Sequence, residues 1–288
     1  MSDQIQFTKM QGVGNDFVVI DGRNEMGCDW STLAIEMCDR RFGIGADGLL
    51  VLDNTQQADV MMRMYNPDGT PDVCGNGLRC VAKYAVERGV VAKNNLKILT
   101  LAGVRNAELL FKAEVGSSAG SSLVRVSMGT PRFIPADIPM RVIQDEVVNY
   151  PLELEDGSKM TITALSTGST HVIAFVESLP DDDVFFKVSP QVENHPLFPE
   201  RTSLMWAQPE GDNRLKLRIW ERGAGETWGC GTGACAAAVA AIRQGYAQSD
   251  VEVSVLSKGG VLSILWQEGG VIQMTGPAEF VYEGSYPK

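Results

Sequence analysis

The sequence predicts a mixed fold of strands and helices, α/β or α+β, organised as two similar halves. Many short runs rich in β-branched residues predict strands, whereas few segments have a helical pattern. A Cys-Gly-x-Gly motif occurs twice, as CGNG from Cys74 and as CGTG from Cys230, and a helical pattern follows each copy. A chain of 288 residues is also long enough for two domains of ordinary size.

The predicted strands follow one another along most of the chain and are bounded by Gly, Asp, Asn or Pro. In chain order they are DFVVID, GLLVL, VMMRMY, LKILTL, SLVRVSM, HVIAFVE, LKLRIW, VEVSVLS, VLSILW and GVIQMTG. The predicted helices are DWSTLAIEMCDRR, GLRCVAKYAVERG and GACAAAVAAIRQG. The second and third end at a glycine, which suits a helix C-terminus. The third is almost entirely small and apolar, which indicates burial on all sides.

Three landmarks recur in the same order at nearly one offset along the chain. GNDFVVI pairs with GSTHVIA, MRMYNP pairs with LRIWER, and the two cysteine motifs pair with each other, at offsets of 154, 155 and 156 residues. Three matches in register indicate an internal duplication, and the period is far longer than that of solenoid repeats. We therefore expect two similar domains, and corresponding residues would meet if the domains face each other.

Composition and charge exclude several classes of protein. The net charge of −11 comes without a basic stripe, which argues against nucleic-acid binding. The N-terminal segment lacks the charged start and apolar core of a signal peptide, and no apolar run is long enough to span a membrane. We expect a cytoplasmic protein that binds no membrane, in which the six cysteines are thiols rather than disulfides.

Each cysteine motif places a thiol in a glycine-rich turn at the start of a helix. The first N–H groups of a helix lack internal partners and carry the positive end of its dipole, so they can bind a carboxylate and favour a thiolate. A carboxylate held in a cleft between the halves would have Cys74 on one face of its α-carbon and Cys230 on the other. One thiolate could then remove the α-proton while the opposite thiol delivers another, which inverts the configuration.

Other interpretations of the cysteines are weaker. A phosphate cradle would need GxxxxGK[ST], which is absent, and the spacings within the two motifs do not suit zinc. A redox dithiol stays open, although the chain has no CxxC. Four cysteines outside the motif starts are interpreted as core packing residues: Cys28, Cys38, Cys80 and Cys235.

The chain resembles the diaminopimelate epimerase family, cofactor-independent amino-acid epimerases of lysine and peptidoglycan synthesis. The resemblance rests on KMQGVGNDFVVID, RRFGIGADGLL, YNPDGTPDVCGNGLRC, HPLFPER and WERGAGETWGCGTGACA. It implies an α+β fold of two pseudo-symmetric domains, each a β-barrel-like sheet around a central helix, with the active site in the cleft between them. It also implies a homodimer that uses neither pyridoxal phosphate nor a metal.

The resemblance further implies domain bounds and site residues. The C-terminal segment returns to the first domain, which gives 1–128 plus 276–288 as one domain and 129–275 as the other. Cys74 and Cys230 match the two catalytic thiols. The matching substrate-binding residues are Asn15, Asn66, Gly75, Asn76, Glu221, Arg222, Gly231 and Thr232, of which Glu221 and Arg222 grip the distal amino-acid group. His171, together with Glu221, would tune the protonation of the thiols.

The expected distal pocket departs from the family pattern. Ser169 stands where the family usually has the asparagine of Asn-Pro-His, and the segment TSLMW stands where NVNF is usual. This alignment places Ser203 and Met205 at two asparagine positions, and Met205 at the distal ligand. Ser169 and Met205 are therefore predicted to form an altered distal pocket.

The sequence thus favours epimerisation of LL-diaminopimelate to the meso isomer by two cysteine bases. A racemase or epimerase of another amino acid with the same two-thiol chemistry is the alternative. A thiol redox protein or an amino-acid-binding protein without turnover is the third hypothesis, from a different class.

Overall fold

The computed structural model describes residues 4–25, 27–111 and 121–287. Residues 1–3 and Lys288, which the sequence assigns to the first domain, lie outside the described residues. The chain divides into two compact units. One comprises the described parts of Met1–Ser127 and Thr275–Lys288, and the other comprises Met128–Met274.

The first unit is formed mainly by strands that precede and follow two helices. Its elements are β1 (Gln4–Gly12), β2 (Asn15–Asp21), α1 (Trp30–Cys38), β3 (Gly48–Asp53), β4 (Val60–Tyr65), β5 (Pro71–Asp72), α2 (Gly75–Glu87), β6 (Asn95–Thr100), β7 (Gly103–Phe111) and β8 (Ser121–Gly129). Strand β2 pairs antiparallel with β1 and parallel with β3, and β4 pairs antiparallel with β3 and β5. Strand β6 then pairs parallel with β4 and antiparallel with β7.

The second unit repeats this order after one additional strand. Its elements are β9 (Val147–Glu153), β10 (Lys159–Ser166), β11 (Thr170–Phe175), α3 (Asp182–Glu193), β12 (Ser203–Gly211), β13 (Arg214–Glu221), β14 (Gly225–Thr227), α4 (Gly231–Arg243), β15 (Val253–Ser257) and β16 (Gly260–Leu265). Strand β17 (Ile272–Pro287) begins at the end of this unit and belongs to the first unit from Thr275 onward. Strand β11 pairs antiparallel with β10 and parallel with β12, and β13 pairs antiparallel with β12 and β14. Strand β15 pairs parallel with β13 and antiparallel with β16.

The identical order of strand pairing confirms the predicted α+β fold with an internal duplication. In each unit one helix of 13 residues lies against the surrounding strands. Helix α2 contacts β1, β2, β3, β4, β6 and β7, and helix α4 contacts the corresponding strands β10, β11, β12, β13, β15 and β16. Because a helix enclosed in this way has no solvent face, most residues of α2 and α4 are buried.

The structure also contains elements that the sequence patterns missed. Helix α3 was not predicted, and its segment DDVFFKVSPQVE includes Pro190, a residue that usually interrupts a helix. Five longer strands were missed as well, namely β1, β7, β9, β10 and β12. Strand β17 extends to Pro287 because it pairs antiparallel with β1 along that strand's length. In the described part of the chain, no helix combines the length and apolar character that crossing a membrane requires.

The loop after α1 depends on a glycine for steric reasons. The loop folds back on the helix end, where the N–H groups of Ile44 and Gly45 both donate to the carbonyl of Met37. A Cβ added at Gly43 would lie within 3.0 Å of the backbone oxygens of Glu36, Met37 and Asp39. Backbone atoms cannot move aside without opening this turn, so the position excludes any side chain.

We therefore expect Gly43→Ala to lower the free energy of unfolding by about 3 kcal/mol, the upper range for overpacking of a rigid site. Gly157→Ala serves as the control, because a Cβ there would meet nothing within 4 Å although φ is 80°. The control should lose only about 1 kcal/mol through its left-handed backbone. Denaturant unfolding of both variants measures the difference, and equal losses would contradict the steric explanation.

Candidate active site

Cys74 is the residue that caps the N-terminus of α2. Its backbone is extended, with φ −143° and ψ 119°, and its Sγ accepts a hydrogen bond from the N–H of Gly77 at 3.4 Å. Sulfur is a weak acceptor compared with the oxygens that usually cap helices. The thiol therefore lies directly at the positive end of the helix, as the sequence predicts.

Asn15, at the start of β2, connects the first thiol to the sheet. Its Oδ1 accepts from the Sγ of Cys74 at 3.5 Å and from the Nδ2 of Asn76 at 3.3 Å. Its own Nδ2 donates to a carboxylate oxygen of Asp47 at 2.6 Å. Since both ends of the amide are bonded, the orientation of Asn15 is fixed by its neighbours.

Asp47 belongs to a charged network that the sequence analysis did not identify. Arg40 binds the carboxylates of both Asp47 and Asp16, and Lys9 lies 2.6 Å from Asp16. Burial by itself would raise the pKa of Asp16, but hydrogen bonds from Arg40 and Lys9 lower that pKa to about 2. Asp16 is therefore ionised at neutral pH, and the ion pairs of this network hold the segment on which Asn15 depends. Both Arg40 and Asp47 lie within the quoted motif RRFGIGADGLL, which is the sequence signal that could have identified them.

Asn66 lies in the turn between β4 and β5, where its amide stabilises the turn itself. The Nδ2 of Asn66 donates to the hydroxyl of Thr70 at 3.1 Å and to the carboxylate of Asp72 at 3.2 Å.

Asn76 is almost fully buried, at 1% exposure, and follows Gly75 as one of the first residues of α2. The N–H groups at this end of α2 have no partner four residues earlier within the helix.

Cys230 repeats the same geometry at α4. Its backbone is extended, its Sγ accepts from the N–H of Gly233 at 3.4 Å, and the hydroxyl of Thr232 lies 3.4 Å from the sulfur. The backbone carbonyl of Thr232 accepts from the hydroxyl of Thr167 at 2.9 Å, so a side chain from the loop after β10 supports the turn. Gly231 is the first residue of α4 and corresponds to the first residue of α2.

The electrostatic environment of Cys230 differs from the one predicted. The helix N-terminus was expected to favour the thiolate, but burial raises the pKa of Cys230 well above 9. The negative charge of Glu221 and a hydrogen bond from the thiol to its carboxylate raise that pKa further. The expectation of a lowered pKa is therefore wrong for Cys230, which at neutral pH is a thiol beside a proton-accepting carboxylate.

Glu221 is held in place next to this thiol. It is the last residue of β13, and its Oε1 accepts a hydrogen bond from the hydroxyl of Thr227 at 2.5 Å. Thr227 lies on β14, which pairs with the end of β13 through Trp220 and Glu226. Thr227 was not among the predicted site residues, although it lies within the motif WERGAGETWGCGTGACA.

His171 lies on β11 with only 1% of its surface exposed. Burial and the positive charge of Arg222 lower the pKa of His171 to about 3, so its imidazole is neutral at physiological pH. Its Nε2 lies 3.1 Å from the hydroxyl of Ser169, and its Nδ1 has no hydrogen-bonding partner among the described residues. A neutral imidazole adds no positive charge to the site but can still form hydrogen bonds, as a donor at one ring nitrogen and as an acceptor at the other.

Arg222 extends from the strand end into solvent. Its backbone N–H donates to the hydroxyl of Ser203 at 3.1 Å, and its Nη1 donates to the carbonyl of Glu200 at 2.9 Å. Within the described ranges, its guanidinium forms no ion pair with a carboxylate. An exposed guanidinium of this kind is suited to bind an incoming carboxylate through two parallel hydrogen bonds.

The structure corrects the expected position of Met205. The side chain is fully buried, and a Cβ added at Gly233 would lie 2.5 Å from its Cε and 2.6 Å from its Sδ. Leu50 has the corresponding position beneath Gly77 in the first unit. Met205 is thus a packing residue under the first turn of α4, whereas Ser203, two positions earlier, is the residue that contacts Arg222.

The remaining cysteines occupy positions that suit packing. Cys80 and Cys235 are fully buried, Cys38 is buried, and Cys28 is partly buried against the core around α1. Burial raises the pKa values of Cys38 and Cys80 to about 12. Among the described residues, none of the six cysteines forms a disulfide, and no group of three or more His, Cys, Asp or Glu side chains is placed to hold a metal ion.

Comparisons with known proteins find sequence relatives along nearly the whole chain. A family model described as diaminopimelate epimerase matches residues 7–134 and 163–281. The chain is 46% identical to the diaminopimelate epimerase of Pelotomaculum thermopropionicum over 286 residues, which cover 98% of this chain and 99% of that protein. It is 44% identical to the diaminopimelate epimerase of Carboxydothermus hydrogenoformans with the same coverage of both chains.

Solved structures share the fold at low sequence identity. A hydroxyproline epimerase from Agrobacterium vitis superposes with a TM-score of 0.71 at 14% identity, covering 99% of this chain and 93% of the other. A phenazine biosynthesis protein from Bacillus anthracis gives a TM-score of 0.68 at 18% identity and covers all of both chains. At these identities the likeness concerns the fold alone.

The pairing of Cys230 with Glu221 gives a measurable prediction. Glu221→Gln removes a negative charge that raises the pKa of Cys230, so that pKa should fall and more thiolate should be present at pH 8. Alkylation of the Cys230 peptide, followed by mass spectrometry between pH 6 and pH 10, should therefore show a midpoint at lower pH. Glu226→Gln is the matched control, because Glu226 binds Arg218. An unchanged midpoint in Glu221→Gln would contradict the assigned interaction.

Proposed function

The chain belongs to the diaminopimelate epimerase family, and on that premise we propose that it converts LL-diaminopimelate to the meso isomer with two cysteine bases. The observation that carries the proposal is the duplicated helix N-terminus, capped by Cys74 in one unit and by Cys230 in the other. A single base would return the proton to the face from which it came. Two matched thiols can act on opposite faces of one carbon.

The proposed role of the helix ends is to bind the carboxylate next to the reacting carbon. The N–H groups at Gly75–Asn76 and at Gly231–Thr232 belong to the first turns of α2 and α4. Donors fixed in this way stabilise charge that moves onto the carboxylate as the α-proton leaves. The α-proton of an amino acid is a very weak acid, so this stabilisation is required for the reaction.

The proposed reaction moves one proton to the enzyme and one from it. One cysteine thiolate takes the α-proton, and the electron pair of the broken C–H bond passes to the carbanion. The opposite thiol then donates its proton to the other face, and it is left as the thiolate. When Cys230 is the base, its thiol proton would first pass to Glu221, which already accepts a hydrogen bond from it. His171 is proposed to tune the protonation of the thiols as a neutral hydrogen-bonding group.

The distal end of the substrate is proposed to bind at Arg222, with Ser203 and Ser169 as neighbouring contacts. Asn15 and Asn66 are proposed as further substrate-binding residues. Hydroxyl groups at Ser169 and Ser203 reach less far than the asparagine amides they replace, which leaves room for a rearranged set of contacts. Another amino acid with the same α-carbon chemistry is therefore the alternative substrate. We further propose a cytoplasmic homodimer that needs no cofactor, by resemblance to the family.

The function is tested by incubation with LL-diaminopimelate in deuterated water. We expect the wild-type protein to form the meso isomer with deuterium at the inverted α-carbon, which binding alone does not produce. Cys74→Ala and Cys230→Ala should each lose at least about 10³-fold in kcat, because each removes an essential acid or base. Cys80→Ala and Cys235→Ala should retain activity, since both are packing residues. Full activity of either first variant would refute the two-base reaction.

Substrate choice is tested at Arg222. Arg222→Lys should lower kcat/KM for diaminopimelate by about ten- to a hundredfold, because an ammonium cannot reproduce the bidentate contact of a guanidinium with a carboxylate. Turnover of lysine, glutamate, histidine and methionine is compared with that of diaminopimelate. Faster turnover of any of these would favour the alternative substrate.

A further inference from the structure

We propose that Glu193 is the positioning residue for Arg222, and through it for the distal end of the substrate; this inference rests on the proposed function. Glu193 is the last residue of α3 and only 6% exposed. It does not contact the thiol and is no part of the duplicated motif. Its carboxylate nevertheless lies at the centre of the contacts that hold the Arg222 segment.

The carboxylate of Glu193 binds both sides of the Glu221–Arg222 pair. Its Oε1 accepts from the backbone N–H of Gly223 at 2.8 Å, and its Oε2 accepts from the indole Nε1 of Trp220 at 2.6 Å. Trp220 precedes the pair and Gly223 follows it. Gly223 has φ 78°, so the chain turns sharply immediately after Arg222.

Glu193 also binds the chain neighbours of the two residues to which Arg222 donates. The Nη1 of Arg201 donates to Oε1 of Glu193 at 3.0 Å, and the N–H of Thr202 donates to the Glu193 carbonyl at 3.1 Å. Glu200, whose carbonyl accepts from the Arg222 guanidinium, adjoins Arg201 in the chain.

Ser203, whose hydroxyl accepts from the Arg222 N–H, adjoins Thr202 in the same way. Both hydrogen bonds that Arg222 donates are thus supported one residue away by Glu193, through its carboxylate at Arg201 and its backbone carbonyl at Thr202. A carboxylate with few contacts to water and several donors holds such a segment more firmly than neutral side chains do.

This arrangement predicts whether the loss of the Glu193 carboxylate changes KM or kcat. Arg222 is proposed to hold the far end of the substrate and not the reacting carbon, so its displacement weakens ground-state and transition-state binding together. Such a loss raises KM and leaves kcat nearly constant. Glu193→Gln replaces one acceptor oxygen by an NH2 group. That donor would then face another donor, either the indole N–H of Trp220 or the N–H groups of Gly223 and Arg201.

The test compares Glu193→Gln with Asp183→Asn, which removes an exposed carboxylate from the same helix. We expect Glu193→Gln to raise KM for LL-diaminopimelate by about ten- to a hundredfold with kcat within about threefold of wild type. In the Arg222→Lys background, Glu193→Gln should raise KM little further, because both substitutions disrupt the same contact between Arg222 and the substrate. An equal rise of KM in the two backgrounds would overturn the proposal, as would an unchanged KM in Glu193→Gln alone.

Hydrogen exchange of the segment 220–224 without substrate separates this proposal from the proposed function. Exchange should become at least about tenfold faster in Glu193→Gln and remain unchanged in Asp183→Asn. An unchanged rate overturns the positioning role whatever the substrate, whereas a wild-type protein without diaminopimelate turnover overturns the proposed function. If Glu193→Gln fails to fold, Trp220→Phe removes one of the donors to Glu193 and should change exchange and KM in the same direction.

Discussion

The hydrogen bond from a helix N–H to a cysteine sulfur is the interaction on which the rest of the site depends. Gly77 and Gly233 donate to Cys74 and Cys230 at the same distance of 3.4 Å, and each bond fixes a thiol at the start of an enclosed helix. The surrounding strands then bury both helices, with Leu50 and Met205 filling the space beside the two glycines. Any side chain larger than hydrogen at either glycine would compete with this packing for the same volume.

Two opposing effects determine the protonation of the buried thiol. A helix N-terminus stabilises a nearby negative charge by about 0.3–1 kcal/mol, whereas taking a charge out of water costs several kcal/mol. Burial therefore dominates at Cys230, and the adjacent Glu221 acts in the same direction. The helix end is better suited to bind a substrate carboxylate, whose own charge supplies part of the interaction, than to ionise a desolvated thiol.

The two units share their strand pairing but support their thiols by different chemistry. In the first unit, Asn15 contacts Cys74 and is held by Asp47 within an ion network that includes Arg40. In the second unit, Cys230 lies beside Glu221, and Glu193 braces the residues that follow. Duplication conserved the geometry of the helix ends, while the polar partners diverged around it.

The sequence by itself determined the duplication, the cysteine motifs and most strands around the helices, because these features depend on local patterns of glycine, β-branched and apolar residues. It did not determine helix α3, where Asp181 caps the N-terminus and the buried Phe185 and Val192 favour the helix despite Pro190. Nor did it distinguish Ser203 from Met205. Side chains two positions apart on one strand share a face and both are buried here, and only the packing of α4 decided which of them lies beneath the helix and which contacts Arg222. The pKa of Cys230 and the central position of Glu193 likewise arise from residues distant in sequence, whose contacts exist only in the folded chain.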